Sequence, residues 1–129
     1  MIEIFKDQSL RQIVKEIHQH KVPWRQDTIV DLTGEQKDEI CRLTTACVNA
    51  PEPEQTASGL ALILFVGQIV RDHAVAGRRV IQIASCLDSV EDELGELTTD
   101  MYEAVVSLQC LAYDHRNEDF WVERGVIPQ

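Results

Sequence analysis

The stretch from Leu60 to Val70, reading LALILFVGQIV, carries apolar residues on almost every side of a helical wheel. A helix that is hydrophobic all round has to be enclosed by other elements, so this segment predicts the centre of a domain with further helices packed around it. Its longest unbroken apolar run, Leu60 to Val66, is far shorter than the roughly 20 residues that cross a bilayer, which points to a core helix and not to a membrane span. Gly67 inside it predicts a close helix contact, because glycine costs about 1 kcal/mol against alanine in a helix unless packing offsets the loss. The helix is expected to begin near Thr56 or Ser58 and to end at Gly77, a residue suited to a left-handed cap.

The remaining pattern is also helical. Leu10, Ile13, Val14 and Ile17 form one amphipathic stripe, with Ser9 and Gln12 in capping-box positions, and Val22-Pro23 stops it. Lys21 to Asp31 then reads as a connector pinned to the core by Ile29 and Leu32. Thr33-Gly34-Glu35-Gln36 is a second capping box, followed by Ile40, Leu43 and Cys47 in a helix reaching Val48. Ala50-Pro51-Glu52-Pro53-Glu54 reads as a loop. Past Gly77, a fourth helix is expected from about Arg78, with Val80, Ile83, Ala84, Leu87, Val90 and Leu94 inward. Thr98-Thr99-Asp100 signals the start of a fifth, with Met101, Ala104, Val105, Leu108, Leu111 and Ala112 on its core face. A short piece from Asn117 to Arg124 ends at Gly125.

No segment alternates with period two between hairpin turns, so no sheet is expected. The fold class that follows is all-α, a compact bundle of five to six helices in one domain over residues 1–129. Helix starts near residues 9, 34, 57, 78, 99 and 117 also fit a short HEAT-like helical-hairpin solenoid. No residue pattern repeats between the three hairpins, which favours the bundle.

Charge narrows the function. The chain carries 12 Lys and Arg against 22 Asp and Glu, a formal charge of -10. That balance argues against direct nucleic-acid binding, which needs a surplus of basic residues on one face, and against an anionic membrane surface. The N-terminus lacks the layout of a signal peptide, so a cytoplasmic location is expected. The asymmetry is also local: no basic residue occurs between Arg79 and Arg116, while Asp88, Glu91, Asp92, Glu93, Glu96, Asp100 and Glu103 crowd that gap.

Several of these carboxylates stand four apart, where like charges on a helix repel by a few tenths of a kcal/mol, about 0.2–0.5. A solvated face that maintains solubility is the plainest explanation. The functional one is a surface for a basic protein partner such as a nuclease or toxin, because a field of one sign steers association. On this reading the protein is a small non-catalytic inhibitor of the immunity-protein or antagonist type, needing no cofactor and no metal. Those seven acidic residues would be its partner-binding set.

The same run supports an enzymatic alternative. Asp92-Glu93-Leu94-Gly95-Glu96-Leu97 resembles the EExxE helix motif of MazG-type nucleoside triphosphate pyrophosphohydrolases. The resemblance covers these six residues and implies Mg²⁺ held by the motif carboxylates in an all-α enzyme. Asp92 stands where that family has Glu, and neither Asp114-His115-Arg116-Asn117 nor Glu118-Asp119-Phe120-Trp121 matches its downstream ExxD pair. A structural subunit of a larger assembly is a third reading that the composition permits.

Other chemistry finds little support. Cys41 and Cys47 are six apart and Cys86 and Cys110 lie on other helices, so a zinc site is not expected, and all four cysteines read as reduced core thiols. His18 and His20 diverge by about 200° on a helix and cannot share a metal ion. Trp24, Phe120 and Trp121 read as peripheral core, with an interface anchor as the alternative. Arg78 and Arg79 oppose the dipole at the expected start of the fourth helix, which predicts acidic neighbours.

Overall fold

The computed structural model describes residues 3–20, 29–81, 96–111 and 118–128. Helix accounts for 78% of them, which makes the fold all-α. A 3-10 turn over Glu3–Lys6 leads into α1, Gln8–Gln19, followed by β1, Ile29–Asp31, α2, Gly34–Asn49, α3, Glu52–Val75, β2, Arg79–Ile81, α4, Glu96–Leu111, and α5, Glu118–Glu123.

α1 buries the stripe Leu10, Ile13, Val14 and Ile17 as its spacing requires. Its cap is not Ser9. Asp7, extended in backbone and placed after the 3-10 turn, accepts a hydrogen bond from the Leu10 amide at 3.0 Å, so Ser9 falls inside the first turn and Gln12 donates to Glu16 instead. α2 opens with the full capping box, in which the Gln36 amide donates to Thr33 Oγ1 at 3.1 Å and the Thr33 amide to Gln36 Oε1 at 2.9 Å.

The expected proline loop contracts to Ala50 and Pro51. Pro51 caps α3 and Pro53 sits in its first turn, where a missing N–H costs nothing because that donor has no helical acceptor. The helix therefore starts several residues before Thr56. With 24 residues it is about 36 Å long, and Pro53–Val75 is long and apolar enough to cross a membrane by length and composition alone. Here its apolar sides meet protein: α1, α2 and α4 all pack on α3, burying Leu62, Ile63, Val66, Ile69 and Val70.

Glycines fix how closely these helices approach. A Cβ on Gly67 would stand 2.9 Å from Ile13 Cγ2, and one on Gly59 would overlap the Met101 side chain. Gly67 is the close contact that the sequence implied; Gly59 is a second. Ile13 meets α3 at Gly67 and Glu16 meets it further along at Arg71, so α1 and α3 run in the same sense. Met101 at Gly59 and Leu108 near Gly67 give α4 that sense too. α2 runs back the other way, with the Cys47 thiol near the Gln55 carbonyl just past the turn. Helices distant in sequence thus share one central helix, which is a bundle and not the nearest-neighbour stacking of a solenoid.

A two-stranded parallel sheet is the main departure from expectation. β1 pairs with β2 in the register Ile29 to Arg79, Val30 to Val80 and Asp31 to Ile81, with α2 and α3 as the crossover. Gly77, at φ +77°, ends α3 in a Schellman motif: its amide donates to Ala74 O at 3.0 Å and the Arg78 amide to His73 O at 2.7 Å. The turned chain then enters an extended run, so residues 79–81 are strand and not the first turn of a helix. The rest of the expected fourth helix lies outside the described residues. α4 starts at Glu96, two residues before Thr98, so Thr98-Thr99-Asp100 lies within the helix and does not cap it. Met101, Ala104, Val105, Leu108 and Leu111 are buried along it as expected.

Candidate functional site

The acidic run divides between described and undescribed residues. Asp88, Glu91, Asp92 and Glu93 lie outside the described set, together with most of the motif that resembles the pyrophosphohydrolases. Glu96, Asp100 and Glu103 all belong to α4. Steps of four and three keep these positions close to one line along the helix; position 100 also stands one turn before the buried Ala104, so this line borders the core side of α4.

Because α4 is continuous from Glu96, the 96/100 spacing is a true helical i, i+4 pair of carboxylates. Glu103, further along, is exposed. One turn later the same side reaches Ser107, which is buried, so the acidic face ends there.

The cations follow a different logic. Arg11 donates from Nε to Phe5 O and from Nη2 to Gly125 O, each at 2.9 Å, tying both ends of the chain to α1. Arg124 donates to Phe120 O at 2.8 Å and stacks 3.6 Å from the Phe120 ring centre. Arg71 bridges Glu16 at 3.4 Å and Asp72 at 3.5 Å. Arg42 pairs with Glu39 and holds that carboxyl below its usual range, while its own pKa rises through the same hydrogen bond.

Arg79 is only 2% exposed, buried within β2. It therefore does not open a helix, and the dipole argument made for Arg78 and Arg79 falls away. Carboxylates are placed otherwise: Asp31, Glu35, Asp38, Glu54, Glu103, Asp119 and Glu123 are all exposed. Among the described cations, Arg11, Arg71, Arg79 and Arg124 are tied into the fold, while Lys6, Lys15, Arg42 and Arg78 are exposed beside this larger set of outward carboxylates.

The aromatic pair turns inward. Trp121 is fully buried, with Phe5 and Phe120 edge-on at 6.1 and 4.9 Å, so it anchors α5 to the core and is not exposed for a partner. A second Schellman motif at Gly125, φ +70°, completes this corner, with the Val126 amide donating to Trp121 O at 2.9 Å. Trp24 lies outside the described residues.

Cys47 is buried and its thiol pKa is raised by that burial, which leaves it unreactive at neutral pH. Cys41 is exposed, contrary to the expectation of a core thiol, because it lies off the buried Ile40, Thr44 and Cys47 side of α2. Cys86 and the Cys110 side chain are outside the description. His18 pairs with Glu118 at 3.3 Å, joining α1 to α5. Among the described residues no group of three or more His, Cys, Asp or Glu is placed to hold a metal ion.

Two open clefts flank α3. One, of about 520 Å³, lies between the N-terminal 3-10 turn and the start of α3 over Ile4, Ala57 and Leu60. The other, of about 390 Å³, lies between α1 and α3 under Gln8, Gln12, Gln68 and Arg71. Asp7 in the first is committed to capping α1, and Arg71 in the second is already balanced by two carboxylates. Among the described residues, neither cleft pairs a nucleophile with a base.

What the sequence did not reveal is the two-stranded sheet and the burial of Arg79. The usable signal was the pair of β-branched dipeptides, Ile29-Val30 and Val80-Ile81, each too short to show alternation. Comparison with family models, with curated proteins and with solved structures gives no match.

Proposed function

We propose that the protein is a small acidic binding protein of the cytoplasm that acts without catalysis, as an antagonist or immunity-type inhibitor of a basic protein such as a nuclease or toxin. The observation that carries this reading is the excess of exposed carboxylates over exposed cations among the described residues. Asp31, Glu35, Asp38, Glu54, Asp72, Glu103, Asp119 and Glu123 face solvent against Lys6, Lys15, Arg42 and Arg78, while Arg11, Arg71, Arg79 and Arg124 are engaged or buried within the fold. Such a surface attracts a cationic partner at long range and selects it through the few pairs that become desolvated on contact. The α4 side holding Glu96, Asp100 and Glu103 is the proposed centre, extended by Asp88, Glu91, Asp92 and Glu93.

Val75 is the large hydrophobic residue exposed among those described, so affinity on this reading rests on charge and hydrogen bonding more than on an apolar patch. The test is capture of the tagged full chain from its own cell extract at low and then high salt, beside a Glu96→Lys, Asp100→Lys, Glu103→Lys variant. One stoichiometric basic protein, retained by the natural chain, weakened by salt and lost from the variant, is the expected result. Equal retention by both chains removes the reading.

A further inference from the structure

The parallel sheet has an inner and an outer strand. β2 is inner: it packs on α3 and α4, and Arg79 and Val80 are buried. β1 is outer, with Ile29 and Val30 half-buried, Asp31 exposed, and β2 as its one strand partner among the described residues. Alternate N–H and C=O groups of an edge strand point away from the sheet, and such an edge is a template for a further strand.

The charge around this edge has one sign of excess. Asp31 ends the strand, and Glu35 and Asp38 follow within the first turns of α2, all three exposed. Exposed apolar side chains are scarce on the described surface, so backbone pairing supplies a source of specific affinity that the side chains do not. We infer that the edge of β1 away from β2, which has no strand partner among the described residues, takes an extended, lysine- or arginine-rich segment of the basic partner as a third strand. Backbone hydrogen bonds to Ile29–Asp31 set its register, and Asp31, Glu35 and Asp38 receive its cations. This rests on the acidic-binder reading and names how part of that partner is held.

The test is amide hydrogen exchange of the full chain with a short peptide of alternating lysine and valine. A peptide of equal charge with proline in place of valine is the control, because proline has no N–H to donate. The alternating peptide is expected to slow exchange at Ile29–Asp31 at least about fivefold while the proline peptide does not, and Asp31→Lys is expected to abolish the difference. Equal effects of the two peptides, or slowing confined to α4, would overturn the inference. Capture of a basic partner that is lost on reversal of Glu96, Asp100 and Glu103, with β1 exchange unchanged in the complex, overturns the strand pairing and leaves the acidic-binder reading intact.

Discussion

The Cγ2 methyl of Ile13 lies 2.9 Å from the point at which a side chain on Gly67 would place its Cβ, so α1 crosses α3 where α3 has no side chain. Alanine at 67 is favoured by helix propensity by about 1 kcal/mol, but overpacking of this kind costs about 1–3 kcal/mol. Gly67→Ala is therefore expected to destabilise the fold, and Gly67→Val more so. Gly34→Ala, with nothing within 4 Å, serves as the control. Urea unfolding of the three variants measures the difference.

Trp121 joins the C-terminal corner to Phe5 near the N-terminus and is fully buried. Trp121→Ala should cost about 3–5 kcal/mol, the range for a large aromatic removed from a core. Because the side chain does not face solvent, Trp121→Phe should leave partner binding unchanged while lowering the unfolding midpoint.

Arg11 satisfies carbonyls of both chain ends, Phe5 O and Gly125 O. Hydrogen bonds from a charged donor contribute about 1.5–3 kcal/mol, so Arg11→Met is expected to lose on that order and to speed proteolysis at residues 3–7 and 124–128. Limited proteolysis followed by mass measurement reads both ends at once.

His73 introduces a pH dependence. Burial lowers its pKa, Arg78 lowers it further, and Asp72 partly offsets both. The unfolded chain then binds a proton more readily than the folded one, so this group's contribution is complete above the ordinary value near 6.5 and is lost as pH falls through the lowered folded pKa. Unfolding midpoints between neutral and mildly acidic pH should fall less steeply in His73→Asn than in the natural chain.

How far these features could be foreseen depended on their length. The α1 stripe, the Thr33 capping box, the enclosed α3 and the turn at Gly77 each repeat a signal over several residues or rest on one residue with a special backbone, and they stand where the pattern placed them, except that α3 opens earlier, at Glu52. The strands β1 and β2 are three residues each, below the length at which alternation can be seen. Their parallel pairing also joins positions some fifty residues apart, for which one chain carries no local mark. The sequence pattern points to Ser9 as the cap of α1; Asp7, directly after the 3-10 turn, holds that place in the structure. For the acidic run, the spacing makes 96/100 an i, i+4 pair only if the helix runs through the Thr98-Thr99-Asp100 signal, and α4 does run through it. Whether an acidic residue meets a partner or water is not encoded in periodicity.

The central claim is that an acidic surface including the α4 face binds a basic protein. Its most direct measurement is the dissociation constant for the captured partner at two ionic strengths, for the natural chain and for the Glu96→Lys, Asp100→Lys, Glu103→Lys variant. The account predicts that reversal weakens binding at least about tenfold at low salt, and that the gap narrows as screening shortens the reach of the charges. Equal affinity of the two chains, unchanged by salt, would contradict it.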